Sequence, residues 1–266
     1  MKRLRFRYEM HLKLDQAVWD HHFLIRCRPM ESARQQKEHL SVKIEPADFI
    51  WEVKDGFGNE GYAGSAKRPH NSLLAVSEGV VRVDITKTSE PLHPMYRFSS
   101  AYTMPGEGIR RFLGEACLEQ GREGGFWGRN VGEKELMYMM DRLYGRFVYS
   151  PGATTVETTA EEALALGRGV CQDYAHIFIS LCRLAGIPAR YVAGLMLGEG
   201  VSHAWVEAWT DGGWLGMDPT NNRLAGDGYI KLTHGRDFRD GSIDRGRFMG
   251  FSGQSQEIFV KVEEII

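Results

Sequence analysis

Apolar and charged residues alternate at the start of the chain, where Leu4, Phe6, Tyr8 and Met10 stand between Arg3, Arg5, Arg7 and Glu9. A period of two puts one set on the buried face of an extended strand and leaves the other to water. Leu40, Val42 and Ile44 repeat the alternation before Pro46. Phe49 to Val53 then runs into Asp55-Gly56-Phe57-Gly58-Asn59, a glycine-rich reversal of hairpin type. Leu73 to Ile85 is a further strand, with Gly79 as a candidate bulge. Short strands separated by turn signals predict an N-terminal β-sandwich over residues 1–100.

From Thr86 to Gly108 the period is lost, and Pro91, Pro94 and Pro105 accumulate. That stretch separates a second unit, residues 106–266. Here the spacing turns helical. Ile109 to Glu119 and Glu133 to Tyr144 carry apolar residues three and four apart, such as Leu136, Met139, Met140 and Leu143, which predicts core-facing helices. Gly124-Gly125-Phe126-Trp127-Gly128 between them reads as a loop. Thr158-x-x-Glu161 and Thr159-x-x-Glu162 are alternative capping boxes for a short helix through Leu166, ended by Gly167 and Gly169. Val170 to Ala185 is apolar on most faces and stops at Gly186 and Pro188, so it predicts a buried helix. His203 to Trp209 and Trp214 to Asp218 read as neighbouring strands around an Asp211-Gly212 turn. Tyr229 to Leu232 and Glu257 to Val262 read as further sheet strands, with Gly235 to Asp240 between them a polar loop that edges the cleft or, on the simpler reading, a surface turn. The fold class is α+β.

Composition narrows the partners. A formal charge of -2 over 266 residues supplies no electrostatic reason to bind nucleic acid or an anionic membrane. Basic pairs such as Arg110-Arg111 and Lys67-Arg68 form no stripe. No run reaches the ~18 apolar residues of a spanning helix, and the charges in Met1-Lys2-Arg3-Leu4-Arg5 interrupt any signal-peptide core. The expected location is cytoplasmic. Cys27, Cys117, Cys171 and Cys182 form neither a C-x-x-C pair nor a zinc spacing, so they are expected to be free thiols with no metal.

One of the four differs from the rest. Cys171 opens the buried helix, where the positive end of the helix dipole favours a thiolate over a thiol of pKa about 8.5. The unpaired N–H groups of that first turn can also donate to an oxyanion on an attacked carbonyl. Asp173 opposes the thiolate by like charge, and Cys182, three turns along, is core. Downstream, His203 is the candidate base and Asp218 its orienter. A type I′ loop at Asp211-Gly212 puts His203 diagonal to Asp218 at roughly 7–8 Å between Cα atoms. A loop at Thr210-Asp211 puts the two directly opposite. His176, on the cysteine helix itself, is a rival base pointing at another angle.

The blocks Gly169-Val170-Cys171-Gln172-Asp173-Tyr174-Ala175, Ala185 to Gly194, Ser202 to Ala208 and Trp214 to Thr220 resemble the transglutaminase-like superfamily. The match is to its bacterial branch of transglutaminase-like enzymes and cysteine proteases. The resemblance covers about residues 155 to 222, and the first 100 residues are similar in general character to the β domain that precedes this core. It implies a papain-like core in which the nucleophile helix packs on an antiparallel sheet. It further implies that Cys171 is the nucleophile, His203 the general base and acid, and Asp218 the orienter. In animal transglutaminases an upstream Trp supplies a second oxyanion donor. Trp127, Tyr149 and Gln172 are all candidates for that place here. No acidic loop has calcium-ligand spacing, so the calcium dependence of the animal enzymes is not carried over and no cofactor is expected.

The expected chemistry is acyl transfer at a peptide or protein amide through a thioester on Cys171. Water as acceptor makes a peptidase or amidase; an amine makes a transglutaminase. The reading leans to hydrolysis, because transfer needs a site that excludes water. The alternative from another class is a non-catalytic module that holds a peptide in a cleft of Trp205, Trp209 and Trp214. Sequence fixes neither the substrate nor the oligomeric state.

Overall fold

The computed structural model describes residues 1–85, 90–119 and 131–266. Its N-terminal strands are β1 (Lys2–Ile25), β2 (Gln35–Glu45), β3 (Phe49–Lys54), β4 (Glu60–Ala66) and β5 (His70–Val83). The first strand continues far beyond the alternation that predicts it. Its first half pairs antiparallel with β5, from Lys2 opposite Val83 to Lys13 opposite Ser72. Its second half pairs with β4, from His21 opposite Ala66 to Ile25 opposite Tyr62. Between the halves the register shifts, and Asp20 takes a left-handed φ of 47°. From Asp15 to His22 the strict alternation of burial is lost, with only Val18 and His21 buried. Met10 and Leu12 from one half then share a cavity of about 80 Å³ with His21 and Phe23 from the other. The two halves of the N-terminal β structure are thus joined through a single strand.

Gly79 is not itself the predicted bulge. The extra residue lies in β2, where the register slips between Lys37 and His39. A Cβ on Gly79 would stand 2.2 Å from the His39 carbonyl oxygen, so the glycine accommodates its neighbour's bulge.

After the connecting segment come α1 (Glu107–Glu119), α2 (Glu133–Arg146), β6 (Val148–Tyr149), α3 (Ala160–Leu166), β7 (Arg168–Gly169) and α4 (Cys171–Leu184). Of the two alternative capping boxes, only Thr159-x-x-Glu162 forms. Thr159 caps α3, accepting from the Glu162 N–H while the Glu162 carboxylate accepts from the Thr159 N–H. Glu161 turns away and accepts from the N–H groups of Gly106, Gly108 and Ile109, capping α1 instead.

The second sheet is built from β8 (Ala189–Met196), β9 (Gly198–Gly200), β10 (His203–Thr210), β11 (Gly213–Asp218), β12 (Arg223–Leu224) and β13 (Tyr229–Gly235), β9 excepted, in the order β12-β11-β10-β8-β13. Every ladder in it is antiparallel. On it lies α4, buried from Gln172 to Arg183. The small residues Ala204 and Ala208 of β10 let the helix approach, and Ile177, Phe178, Ile179 and Leu181 fill the shared core. Each of those fully buried side chains contributes roughly 1.5–3 kcal/mol. This is the helix-on-antiparallel-sheet core that the resemblance implies. At its far end Arg183 donates to the carbonyls of Tyr96, Ala189 and Arg236 and to the Thr103 hydroxyl, which ties the connecting segment to the core.

A short α5 (Phe238–Gly241) precedes β14 (Asp244–Met249) and β15 (Gln254–Ile265). Glu257 to Val262 is a strand, as expected, and belongs to the first sheet. It lies between β1 and β9, with Val260 opposite Tyr8 and Val262 opposite Phe6. Val260 and Val262 are both buried, continuing the apolar face of β1, which explains the placement. Among the described residues no helix is long and apolar enough to cross a membrane.

Candidate active site

Two short strands set the start of α4. Val148 and Tyr149 pair parallel with Arg168 and Gly169, which brings Tyr149 beside the residues leading into Cys171. Val170 is the N-cap. Its carbonyl accepts from the N–H groups of Asp173 and Tyr174, leaving those of Cys171 and Gln172 as the first-turn donors with no acceptor among the described residues. Asp173 turns its carboxylate back and accepts from the Val170 N–H and the Thr154 hydroxyl, both at 2.7 Å. Burial raises its pKa, against the lowering effect of those two bonds. The residue expected to oppose a thiolate is therefore occupied in holding the helix start. Cys171 itself is half-buried, whereas Cys27, Cys117 and Cys182 are buried.

The hairpin next to the helix resolves the register left open by the sequence. Asp211 and Gly212 have φ of 48° and 80°, as a type I′ loop requires. Thr210 then pairs with Gly213 and Val206 with Met217, so the diagonal relation of His203 to Asp218 is the one formed. The side chains meet, with His203 Nε2 2.8 Å from Asp218 Oδ2. Cys171 is close enough to the ring to act on its protonation. Burial disfavours the imidazolium, but the hydrogen bonds and charges of Asp218 and Cys171 outweigh it and hold the pKa up at about 9. The structure thus joins His203 directly to Asp218, with Cys171 acting on the same imidazole.

Asp218 is wholly buried, yet its pKa lies below the usual carboxylate value. Burial opposes its charge, and bonds from His203, Asn221 and Tyr229 overcome that. Oδ2 accepts from the Tyr229 hydroxyl and from Asn221 Nδ2, both at 2.7 Å, and Oδ1 from the N–H groups of Thr220 and Asn221. Sequence reading missed Tyr229 and Asn221. The Asp-Pro-Thr-Asn run signals a turn that folds amides back on the carboxylate, but nothing local links Tyr229 to it.

The other candidates fall elsewhere. His176 is fully buried, and its Nε2 accepts the Phe238 N–H at 3.0 Å. Burial and then the Arg183 charge push its pKa down to about 3, so it is a neutral structural imidazole. Gln172 spends its amide on the Val156 carbonyl. Tyr149 is exposed beside the thiol, and burial of its phenol and the Cys171 charge raise its pKa. Trp127 lies outside the described residues. Of the three tryptophans of the alternative cleft, Trp205 and Trp214 border a cavity of about 130 Å³. Trp205 and Trp214 are buried, and the Arg190 guanidinium stands 4.1 Å from the centre of the Trp214 ring. Stacking on a cation that is itself paired with Glu207 gives Trp214 a partner inside the protein.

Comparison with known proteins agrees with this fold. The Transglutaminase-like superfamily profile matches residues 128–219, and that of the Bacterial transglutaminase-like N-terminal region matches residues 4–82. An "Uncharacterized protein" of Mycobacterium leprae is 39% identical over 90% of this chain and 91% of its own length. A "Protein-glutamine gamma-glutamyltransferase" of Pseudomonas aeruginosa is 36% identical over 29% of this chain, but only 15% of that protein. The crystal structure of a "Putative Cysteine Protease" from Cytophaga hutchinsonii superposes with a TM-score of 0.78 at 21% identity, over 100% of this chain and 91% of that one. Sequence blocks, fold and profiles coincide, and the chain belongs to the transglutaminase-like superfamily.

Proposed function

We propose that this protein is a thiol acyl hydrolase acting on a peptide or protein amide. The observation that carries the reading is the single imidazole of His203, bonded to the buried carboxylate of Asp218 and raised in pKa by both Asp218 and the half-buried Cys171. Proton transfer from the thiol to the ring gives a thiolate beside an imidazolium whose charge Asp218 balances. Sulfur attacks the amide carbon, forming a C–S bond while the carbonyl oxygen takes the electron pair. The N–H groups of Cys171 and Gln172 are the donors for that oxyanion, and the Tyr149 phenol beside the thiol is the candidate third. The C–N bond then breaks as His203 protonates the leaving amine, and a thioester remains. His203, now neutral, takes a proton from water as it adds to the thioester, and the acid leaves with the thiol restored.

Two observations favour water over an amine as acceptor. Tyr149 beside the sulfur is 51% exposed, and among the described residues nothing buries Cys171 completely. A site open to solvent loses its thioester to water faster than to a dilute amine. The partial identity to a protein-glutamine gamma-glutamyltransferase keeps amine transfer as the second reading.

The test is to incubate the full chain and its Cys171→Ala variant with a library of peptide amides, with and without a primary amine, and to read masses. Loss of amide to free acid in the wild type alone supports the proposal. Amine adducts in preference to acid replace hydrolase by transglutaminase, and no turnover with no acyl-enzyme on Cys171 overturns both.

A further inference from the structure

We infer that Tyr229, with Arg223 behind it, is a positioning residue that shares the charge of Asp218 and so limits how tightly His203 holds its proton. This rests on the proposed role of His203 as acid and base. Asp218 Oδ2 is the atom bonded to His203, and the same atom accepts from Tyr229 at 2.7 Å. The direction of that second bond is fixed. Arg223 Nε lies 2.9 Å from the Tyr229 oxygen, and a guanidinium can only donate. The phenol therefore accepts from Arg223 and donates its own proton to Asp218. Burial and the Asp218 charge hold that phenol protonated, well above its ordinary range.

The geometry is rigid. Arg223 pairs with Asp218 across the β11–β12 ladder, and its guanidinium carbon lies 5.5 Å from the centre of the Tyr229 ring. The Trp205 ring packs edge-on against the other side at 5.3 Å. A cation at the phenol oxygen polarises the O–H and makes it a stronger donor in a buried site. The groups facing His203 are Asp218 from β11, Cys171 from α4, and Tyr229 from β13, with Arg223 of β12 one step behind.

Removing the phenol hydroxyl leaves Asn221 and two backbone N–H groups to aim the carboxylate. Orientation survives, but more negative charge returns to the oxygen facing His203. The imidazolium is then held more tightly and gives its proton to a leaving amine less readily. Tyr229 thus acts as a brake on the basicity that Asp218 confers.

The experiment is an NMR pH titration of His203 in the full chain carrying Cys171→Ala, which removes the neighbouring titrating thiol. His203→Gln assigns its signal among the nine histidines. Tyr229→Phe keeps the ring and is expected to raise the His203 midpoint by about half a pH unit or more, since losing a hydrogen bond to the partner charge shifts the pair. Arg223→Gln, at an exposed residue, is expected to raise it by less. An unchanged or lowered midpoint in both variants overturns the inference. Should Tyr229→Phe fail to fold, Arg223→Gln carries the test alone with the same sign. Because the readout needs no turnover, a failed peptide assay and a failed titration are separate results.

Discussion

A side chain on Gly169 and the carboxylate of Asp173 claim the same space, since a Cβ at position 169 would stand 2.4 Å from Asp173 Oδ2. That oxygen is the one accepting from the Val170 N–H and the Thr154 hydroxyl, so it moves only by surrendering both bonds. Gly169→Ala is therefore expected to cost roughly 1–2 kcal/mol, the range for losing a helix cap. It also displaces the turn that presents Cys171. Urea denaturation checks the first effect and alkylation of Cys171 the second. A variant with wild-type stability and reactivity would falsify the packing argument.

Iodoacetamide distinguishes the four thiols. Cys171 is half-buried and interacts with His203, whereas burial pushes the Cys27 thiol up to about 12 and that of Cys182 higher still. At about pH 7, below the ordinary thiol range, peptide mapping is expected to find the label on Cys171 at least tenfold ahead of the rest. His203→Ala is expected to remove most of that lead. Equal, slow labelling of all four would mean that the imidazole does not activate the sulfur.

The His203–Asp218 pair gives stability a defined pH window. The His203 pKa is raised to about 9, so its contribution is complete below the unfolded value of about 6.5 and fades as pH climbs through about 9. The Asp218 pKa is lowered, so its contribution is present above the ordinary carboxylate range and fades on acidification. Thermal melts should show the wild type losing its advantage over His203→Ala between neutral pH and about pH 10, by up to about 3 kcal/mol. A constant difference across that range would sink the linkage.

Glu161→Ala separates scaffold from site. It deprives the N–H groups of Gly106, Gly108 and Ile109 of a charged acceptor, at an expected cost of roughly 2 kcal/mol. Cys171 reactivity should stay within about twofold of wild type, because distant sites act independently. A large fall in labelling at temperatures where the variant is folded would tie α1 to the site after all.

Much of this architecture was legible in the residues. Alternation located β1 but could not show that the strand runs on past a register shift between Lys13 and Val18 to pair with β4. Which of the two capping boxes forms was left open, because a sequence cannot show that Glu161 serves a helix some fifty residues upstream. His203 and Asp218 were within reach of a register argument because they flank one tight hairpin. Tyr229 was not, because its link to Asp218 crosses from β13 to β11, strands that are not neighbours in the sheet. The stacking of Trp214 was hidden for a related reason: its partner cation arrives from β8, two strands away from β11.

The placement of β15 reaches beyond architecture. One flank of β1 meets residues 72 to 83 early in synthesis, but the other waits for residues 254 to 265. A ribosome therefore releases everything up to β15, nucleophile included, before β1 can meet its second neighbour. Ordering of the two halves is expected to be a late and joint event, so a chain cut short at its far end would forfeit the near one as well.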